Sequence, residues 1–277
     1  MSRSAFPVVD LALARRLERA EGHANAQFVE SRRRRVPALD ACWTEVGGAW
    51  AMFDGVGSPL TQTFGLGLFD PATADILAAL EQFFEVRGAE VFHEVSPLAD
   101  PSTLMRLNDR AYRPCELTSV LFQPLPAPGQ QSPSGEITAR PATAAEHERW
   151  AETALAGWGE VAEVRDFMSS FGPTAVGARD AFPFMAVDEG GAPVATGMLS
   201  IHAGVAVLGG ASTVPASRGR GAQRALLAAR LQYAAHSGCD LAMMCAAPGS
   251  ASQRNAERSG FRIAYTRIKW RRDGGSL

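Results

Sequence analysis

Apolar and polar positions switch between two periods along this chain. Between residues 221 and 236, Ala222, Leu226, Leu227, Leu231 and Ala234 recur at helical spacing and predict a long helix over Gly221–His236. Before it the apolar runs are short. Phe182–Val187, Val194–His202 and Val205–Thr213 read as strands, and the tight Ala203-Gly204 turn makes the last two an antiparallel hairpin. Upstream lie a predicted strand, Glu136–Arg140, and helices over Pro141–Trp158 and about Val164–Phe171. Downstream come a strand, Leu241–Cys245, a helix over Ser252–Ser259 ended by Gly260, and a closing strand, Phe261–Trp270.

The first half repeats the later part of this order. Thr61–Phe69 reads as a strand running directly into a helix over Asp70–Val86, with Asp70 as N-cap and Pro71 at its first position. Arg87-Gly88 ends that helix. A strand over Ala89–Val95, a helix over Pro101–Ala111 and a strand over Arg113–Phe122 follow. Gly88 faces Gly238 and Tyr112 faces Phe261, both at an offset of about 150 residues. The pattern favours a duplication. Between the halves, Pro124–Gly135 reads PLPAPGQQSPSG, a linker by composition. The expected domains are therefore 1–123 and 136–277, joined by 124–135.

Composition narrows the function. Of 277 residues, 46% are hydrophobic and 20% charged, an ordinary globular profile, and the net charge of −2 gives no reason to expect nucleic acid or an acidic membrane as partner. The dense basic run Arg32–Arg35 reads as a solvated loop, with a phosphate contact as the alternative. Cys42, Cys115, Cys239 and Cys245 form no C-x-x-C pair and read as reduced, mostly buried thiols. No metal site is expected. The N-terminal segment lacks the apolar core of a secretory signal, and no apolar stretch reaches bilayer length, so the expected location is the cytoplasm.

The stretch that carries chemistry is Ala211-Ser-Thr-Val-Pro-Ala-Ser-Arg-Gly-Arg-Gly-Ala-Gln-Arg-Ala-Leu-Leu227. A strand ends near Thr213, two glycines follow at 219 and 221, and a helix begins. Glycines there let a ligand approach the backbone closely. The first turn of the helix offers N–H groups without intrahelical partners and the positive end of its dipole. Arg218, Arg220 and Arg224 add formal charge, so the expected guest is a phosphate or diphosphate. A nucleotide P-loop needs Lys-Ser/Thr after its glycines, and none is here. The dinucleotide fingerprint needs a third glycine where Arg224 stands.

These residues resemble the GNAT superfamily of N-acetyltransferases. Its diphosphate signature, Arg/Gln-x-x-Gly-x-Gly/Ala, is matched by Arg218-Gly219-Arg220-Gly221-Ala222-Gln223, with Gln223 in place of a small residue. The segment Ala251–Phe261 resembles the helix and Gly-Phe turn of the same family. The resemblance covers about 136–270. It implies an α/β (α+β) tandem GNAT-like fold, with a mixed central sheet flanked by helices and a degenerate first domain. It implies acetyl-CoA as cosubstrate and acetyl transfer to a primary amine. Ala211, Ser212 and Thr213 would then present main-chain groups to the pantetheine arm and acetyl carbonyl, and Gly219 to Arg224 would hold the diphosphate. The partner would be a small-molecule or peptide amine, and a homodimer stays open.

Amine acetylation needs a base to take the amine proton and an acid to protonate the leaving thiolate. The resemblance places the usual Tyr acid at Ala256, the usual Glu near Met244, and a ligand-contacting Asn at Gly249, with Asn255, one residue from the Tyr position, as a candidate cofactor contact. None of the expected groups is present. Candidates are His202, Ser252, Asn255 and Cys245. Each has a plainer reading: a turn-edge histidine, a helix N-cap, a local hydrogen bond, a core thiol. Glu160, Glu163 and Asp166 would line the acceptor side, or else a solvated face. If no group serves, the site binds acyl-CoA without turning it over.

Overall fold

The computed structural model describes residues 6–125, 136–158 and 162–272, without the side chains of 162–166. In chain order the first elements are α1 (Leu11–Arg35), β1 (Cys42–Val46), β2 (Ala49–Phe53), β3 (Gln62–Phe64), α2 (Ala74–Glu85), β4 (Phe92–Val95), α3 (Ser102–Asp109) and β5 (Tyr112–Pro124). Then follow β6 (Thr138–Pro141), α4 (His147–Trp158), α5 (Ala162–Ala175), β7 (Ala181–Val187), β8 (Pro193–His202), β9 (Val205–Thr213), α6 (Ala222–His236), β10 (Leu241–Ala246), α7 (Ala251–Arg258) and β11 (Arg262–Arg272). The proposed linker, from 126 on, lies outside the described residues.

The chain folds into two compact units that alternate along it. The N-terminal unit takes Pro7–Leu121, Cys245–Arg254 and the chain from Arg262; the C-terminal unit takes the chain from Phe122 to Met244 and Asn255–Phe261. The N-terminal unit thus includes the last strand of the chain. Its strands run in the order β1-β2-β3-β4-β11-β5. The pairs β1–β2 and β2–β3 are antiparallel, β3–β4 is parallel, and β11 lies antiparallel to β4 with Ile268 opposite Val95. The C-terminal unit runs β10-β9-β8-β7-β6, antiparallel except for the parallel β9–β10 pair. Each unit is therefore a mixed sheet in which an antiparallel meander passes through one helix into a parallel strand.

The repetition extends to the helix ends. Ala89 N–H donates to Phe84 C=O and Gly88 N–H to Glu85 C=O; Cys239 N–H donates to Ala234 C=O and Gly238 N–H to Ala235 C=O. Gly88 and Gly238 both take positive φ, +66° and +82°. These are the same glycine-terminated helix ends, 150 positions apart.

The first half departs from the sequence reading in three places. Helix α2 starts at Ala74, not Asp70, because Thr73 is the N-cap and its hydroxyl accepts from Ile76 N–H. Strand β3 ends at Phe64, and residues 65–73 form a loop. Arg32–Arg35 is the last turn of the 25-residue helix α1, not a loop. Arg32 is buried there and pairs with Asp54 at 2.8 Å. Glu18, Gly22, Ser31 and Arg32 all belong to the buried stripe of α1, which breaks its apolar periodicity and hides the helix. The thiols differ too: Cys239 is buried, Cys42 and Cys245 are half-buried, and Cys115 is exposed.

Two polar clusters organise the N-terminal unit. On one face of β4, Arg267 from β11 is fully buried among three carboxylates: Glu18 at 3.2 Å and Glu21 at 2.6 Å from α1, and Glu94 at 3.0 Å from β4. Tyr265 donates to Glu18 at 2.9 Å. On the other face, His93 is fully buried and its Nε2 lies 3.0 Å from Tyr112 Oη, which donates to Glu81. Burial pushes the imidazole down to about 3, against the pull of Glu81.

Replacing Arg267 by Met leaves the buried Glu18 and the partly buried Glu21 without their cation, and Glu94 with Lys269 at 3.7 Å. The expected loss is about 3–5 kcal/mol of unfolding free energy, measured by urea denaturation. His93 gives a pH signature. Its native pKa lies below the unfolded value, so the unfolded chain binds the extra proton. Stability should fall as pH drops from about 6.5 towards 3, and proton NMR should show no imidazole titration for His93 between pH 5 and 8.

Candidate functional site

Strand β9 carries the geometry. Its register with β8 shifts between Thr196 and Met198: Ser212 faces Thr196, but Gly209 faces Met198. Gly210 and Ala211 together oppose Gly197 alone, which is a β-bulge. Gly210 takes φ +57° there, and a Cβ on it would lie 2.8 Å from the Phe171 ring. On its other edge β9 pairs with β10 only through Val205, Ala206 and Val207. Beyond Val207 the two parallel strands separate, so the stretch from Leu208 to Thr213 has one edge without a strand partner among the described residues. That edge can accept a ligand.

The loop after β9 leads to a helix start without a cap. Gly221 is the N-cap of α6 at φ +88°, with no side-chain cap hydrogen bond, and no acidic residue lies in the first turn. The first intrahelical bond runs from Ala225 N–H to Gly221 C=O. Gly219 takes φ +79°, and a Cβ on either glycine would meet nothing within 4 Å. Both therefore stand over open space with a left-handed backbone that suits glycine. Arg218, Arg220 and Arg224 are exposed around this opening. Arg218 donates to Gly157 C=O at 3.2 Å, and Arg220 lies 3.8 Å from the exposed Glu136. Uncapped N–H groups, open glycines and three arginines fit a diphosphate.

Other residues shape the opening and carry no motif. Gly157 lets the end of α4 close onto β9: a Cβ there would lie 2.5 Å from Ser212 Oγ and 2.9 Å from Thr213 N. Ser212 turns its side chain inward, bonded to Thr196 Oγ1 at 3.1 Å and donating to Ala154 C=O at 3.2 Å. It can therefore serve a ligand through its main chain. Gln223 donates to Thr213 Oγ1 at 2.8 Å, tying the first turn of α6 to the end of β9. This bond accounts for the glutamine where the resembled signature has a small residue. Ala222 is buried beneath the turn.

The equivalent loop of the N-terminal unit is filled from within. Gly65 and Gly67 also take positive φ, but a Cβ on Gly67 would lie 2.2 Å from Thr103 Oγ1 and one on Gly65 3.1 Å from the Phe69 ring. Leu66 and Leu68 are buried, and Arg15 donates to the carbonyls of Leu68 and Phe69. The protein's own side chains occupy the space that stands open at Gly219 and Gly221.

The proposed acid–base residues are scattered. His202 pairs with Val205 at the far end of the β8–β9 hairpin. Eight residues of strand separate that end from Thr213, about 26 Å at ~3.3 Å per residue. Asn255 is exposed on α7 within the C-terminal unit, and its carbonyl accepts from Ser259. Ser252 belongs to the N-terminal unit and is not the cap of α7; Ser250 is, accepting from Gln253 N–H at 3.2 Å. Cys245 belongs to that unit too, 3.3 Å from Arg267, and burial holds its thiol well above the ordinary value. It stays protonated at neutral pH and offers no thiolate base. Ala256 is 1% exposed, so α7 uses that position for packing. Glu160 lies outside the described residues, as do the side chains of Glu163 and Asp166.

The C-terminal unit thus combines a bulged strand splayed from its parallel neighbour with an anion-receptive helix start. Residues 144–261 match the model of the Acetyltransferase (GNAT) family, and this segment is a GNAT acetyltransferase domain. No curated protein matches the chain. Among solved structures, a GCN5-related N-acetyltransferase from Kribbella flavida superposes with a TM-score of 0.63 at 22% identity, covering 91% of this chain and 97% of that one. A tandem GNAT protein from the clavulanic acid biosynthesis pathway gives 0.57 at 15% identity, over 83% and 79%. A GCN5-related N-acetyltransferase from Sphaerobacter thermophilus gives 0.55 at 20%, over 83% and 78%. At these identities the likeness is one of fold. No helix among the described residues is long and apolar enough to cross a membrane.

Gly157→Ala tests the seat of α4 on β9. The added methyl has no room, so the variant should lose about 1–3 kcal/mol by chemical denaturation. A neutral effect would mean that α4 is free to move away from the strand.

Proposed function

We propose that the C-terminal unit binds acetyl-CoA and transfers its acetyl group to a primary amine in a ternary complex. The observation that carries this reading is the open, uncapped start of α6 beside the unpaired edge of β9. The N–H groups from Gly219 to Arg224 would hold the diphosphate, with Arg218, Arg220 and Arg224 supplying charge. Ala211, Ser212 and Thr213 would orient the pantetheine arm through their backbone. The thioester supplies an activated acyl carbon. Backbone N–H groups of the bulge would face its oxygen, where negative charge develops during attack. Positioning of the amine beside that carbon supplies much of the acceleration.

The acid and base are the open part of the mechanism. Asn255 is the candidate that the C-terminal unit itself presents; His202 is remote from the bulge along its own hairpin. With Ala256 packed and no titrating side chain supplied by β9 or the glycine loop, proton transfer through water is the consistent route. A second reading, acyl-CoA binding without turnover, draws on the same observation. The N-terminal unit, its glycine loop plugged, would have a packing or substrate-shaping role.

Calorimetry should show 1:1 binding of acetyl-CoA, weakened at least tenfold, about 1.4 kcal/mol, in Arg220→Glu/Gly221→Asp. Wild-type protein that fails to bind would end the reading. Release of free CoA across a panel of amines separates the enzyme from the sensor, which should show none above background.

A further inference from the structure

Arg230 on α6 breaks the rule for its position. It belongs to the helix's buried face with Leu226, Leu227 and Ala234 and is 3% exposed. An aliphatic side chain would fill that place at no electrostatic cost. The guanidinium instead bonds three neutral carbonyls: Leu226 at 3.3 Å, Met198 at 3.0 Å and Gly209 at 3.4 Å. Burial alone lowers its pKa, to about 10, and no carboxylate contributes. At neutral pH it is a buried cation without an anionic partner among the described residues, an arrangement that costs stability.

Its placement gives the charge a use. Met198 and Gly209 are register partners on β8 and β9, the last rung before the bulge. One nitrogen, Nη1, reaches both carbonyls and clamps the two strands where the register shifts. Room for it is made by Gly197, the residue opposite the bulge, where a Cβ would lie 2.9 Å from the guanidinium carbon. The Gly209 carbonyl shares a peptide group with the Gly210 N–H, which lies in the bulge. A cation at the oxygen end of a peptide makes the N–H at its other end a stronger donor.

We propose that Arg230 is a positioning residue that locks the β9 bulge and polarises its peptide groups towards the acyl oxygen. The inference rests on the reading that β9 carries the acyl group. The buried charge then stabilises developing oxyanion character without touching the ligand, and the protein accepts a less stable core in exchange.

The test compares wild type, Arg230→Met and Arg230→Lys. Each is loaded with acetyl-CoA carrying a ¹³C carbonyl and followed by isotope-edited infrared spectroscopy, calorimetry and thermal melting. Expected are a thioester stretch in wild type below that of the free ligand and a stretch in Arg230→Met returned most of the way to it. Affinity should change less than about threefold, and the melting temperature should be unchanged or raised. Turnover, where an acceptor is found, should fall roughly 10- to 100-fold. Arg230→Lys keeps the charge but not the fork and should fall between the two; it carries the test if the Met variant does not fold. A wild-type stretch in the variant that folds, at equal occupancy, would overturn the role of Arg230 and leave acetyl-CoA binding standing. Wild-type protein that binds no acetyl-CoA would overturn the functional reading itself.

Discussion

Arg267 is the cation on which the N-terminal unit is built. It comes from the last strand of the chain, yet it neutralises Glu18 and Glu21 of the first helix and Glu94 of β4. Two buried carboxylates and a third partly buried beside them repel one another and resist leaving water; the guanidinium makes their burial tolerable. β11 therefore carries the cation that the buried face of α1 requires in the folded protein. A chain cut before β11 would lack both the strand beside β4 and the charge that α1 requires. The N-terminal unit thus draws on the first half of the chain and on its last strand.

The two units use one plan for opposite purposes. Both pass from an antiparallel meander through a glycine-containing loop and a helix into a parallel strand, and both end that helix with the same glycine geometry. In the C-terminal unit the loop glycines face open space and the helix start lacks a cap. In the N-terminal unit Thr103 and Phe69 fill that space, and Thr73 caps the helix. A capped, filled loop adds stability; an open, uncapped one leaves its N–H groups without a side-chain cap. The polar interior follows the same division. The Arg267 cluster is paired by carboxylates, whereas Arg230 beneath the β9 bulge meets only carbonyls among the described residues.

Much of the C-terminal unit was legible in the sequence. Val205–Thr213 is a strand over the expected residues and α6 begins one residue after Gly221, because local signals coincide there. Alternating apolar residues, a proline, two glycines and a helical repeat all point the same way. In the first half the local signals misled. Asp70 and Pro71 look like a helix start, but Thr73 caps α2; Arg32–Arg35 looks like a loop, but buried partners extend α1 through it. At Arg32 a long-range contact outweighed a local preference, whereas at α2 one local cap, Thr73, prevailed over another, Asp70.

The sequence by itself determined the order of elements from β3 onwards, the repeat at 150 positions and the glycine- and arginine-rich stretch from Arg218 to Arg224 that leads into α6. These depend on neighbours a few positions apart, and spacing records them. Only the tertiary structure decided that β11 belongs beside β4, that Gly65 and Gly67 are filled while Gly219 and Gly221 are open, that His202 is remote from the bulge, and that Arg230 lies beneath it. Each of these is a contact between residues distant in the chain, and single-residue preferences carry no record of which side chain will arrive to fill a space or meet a charge.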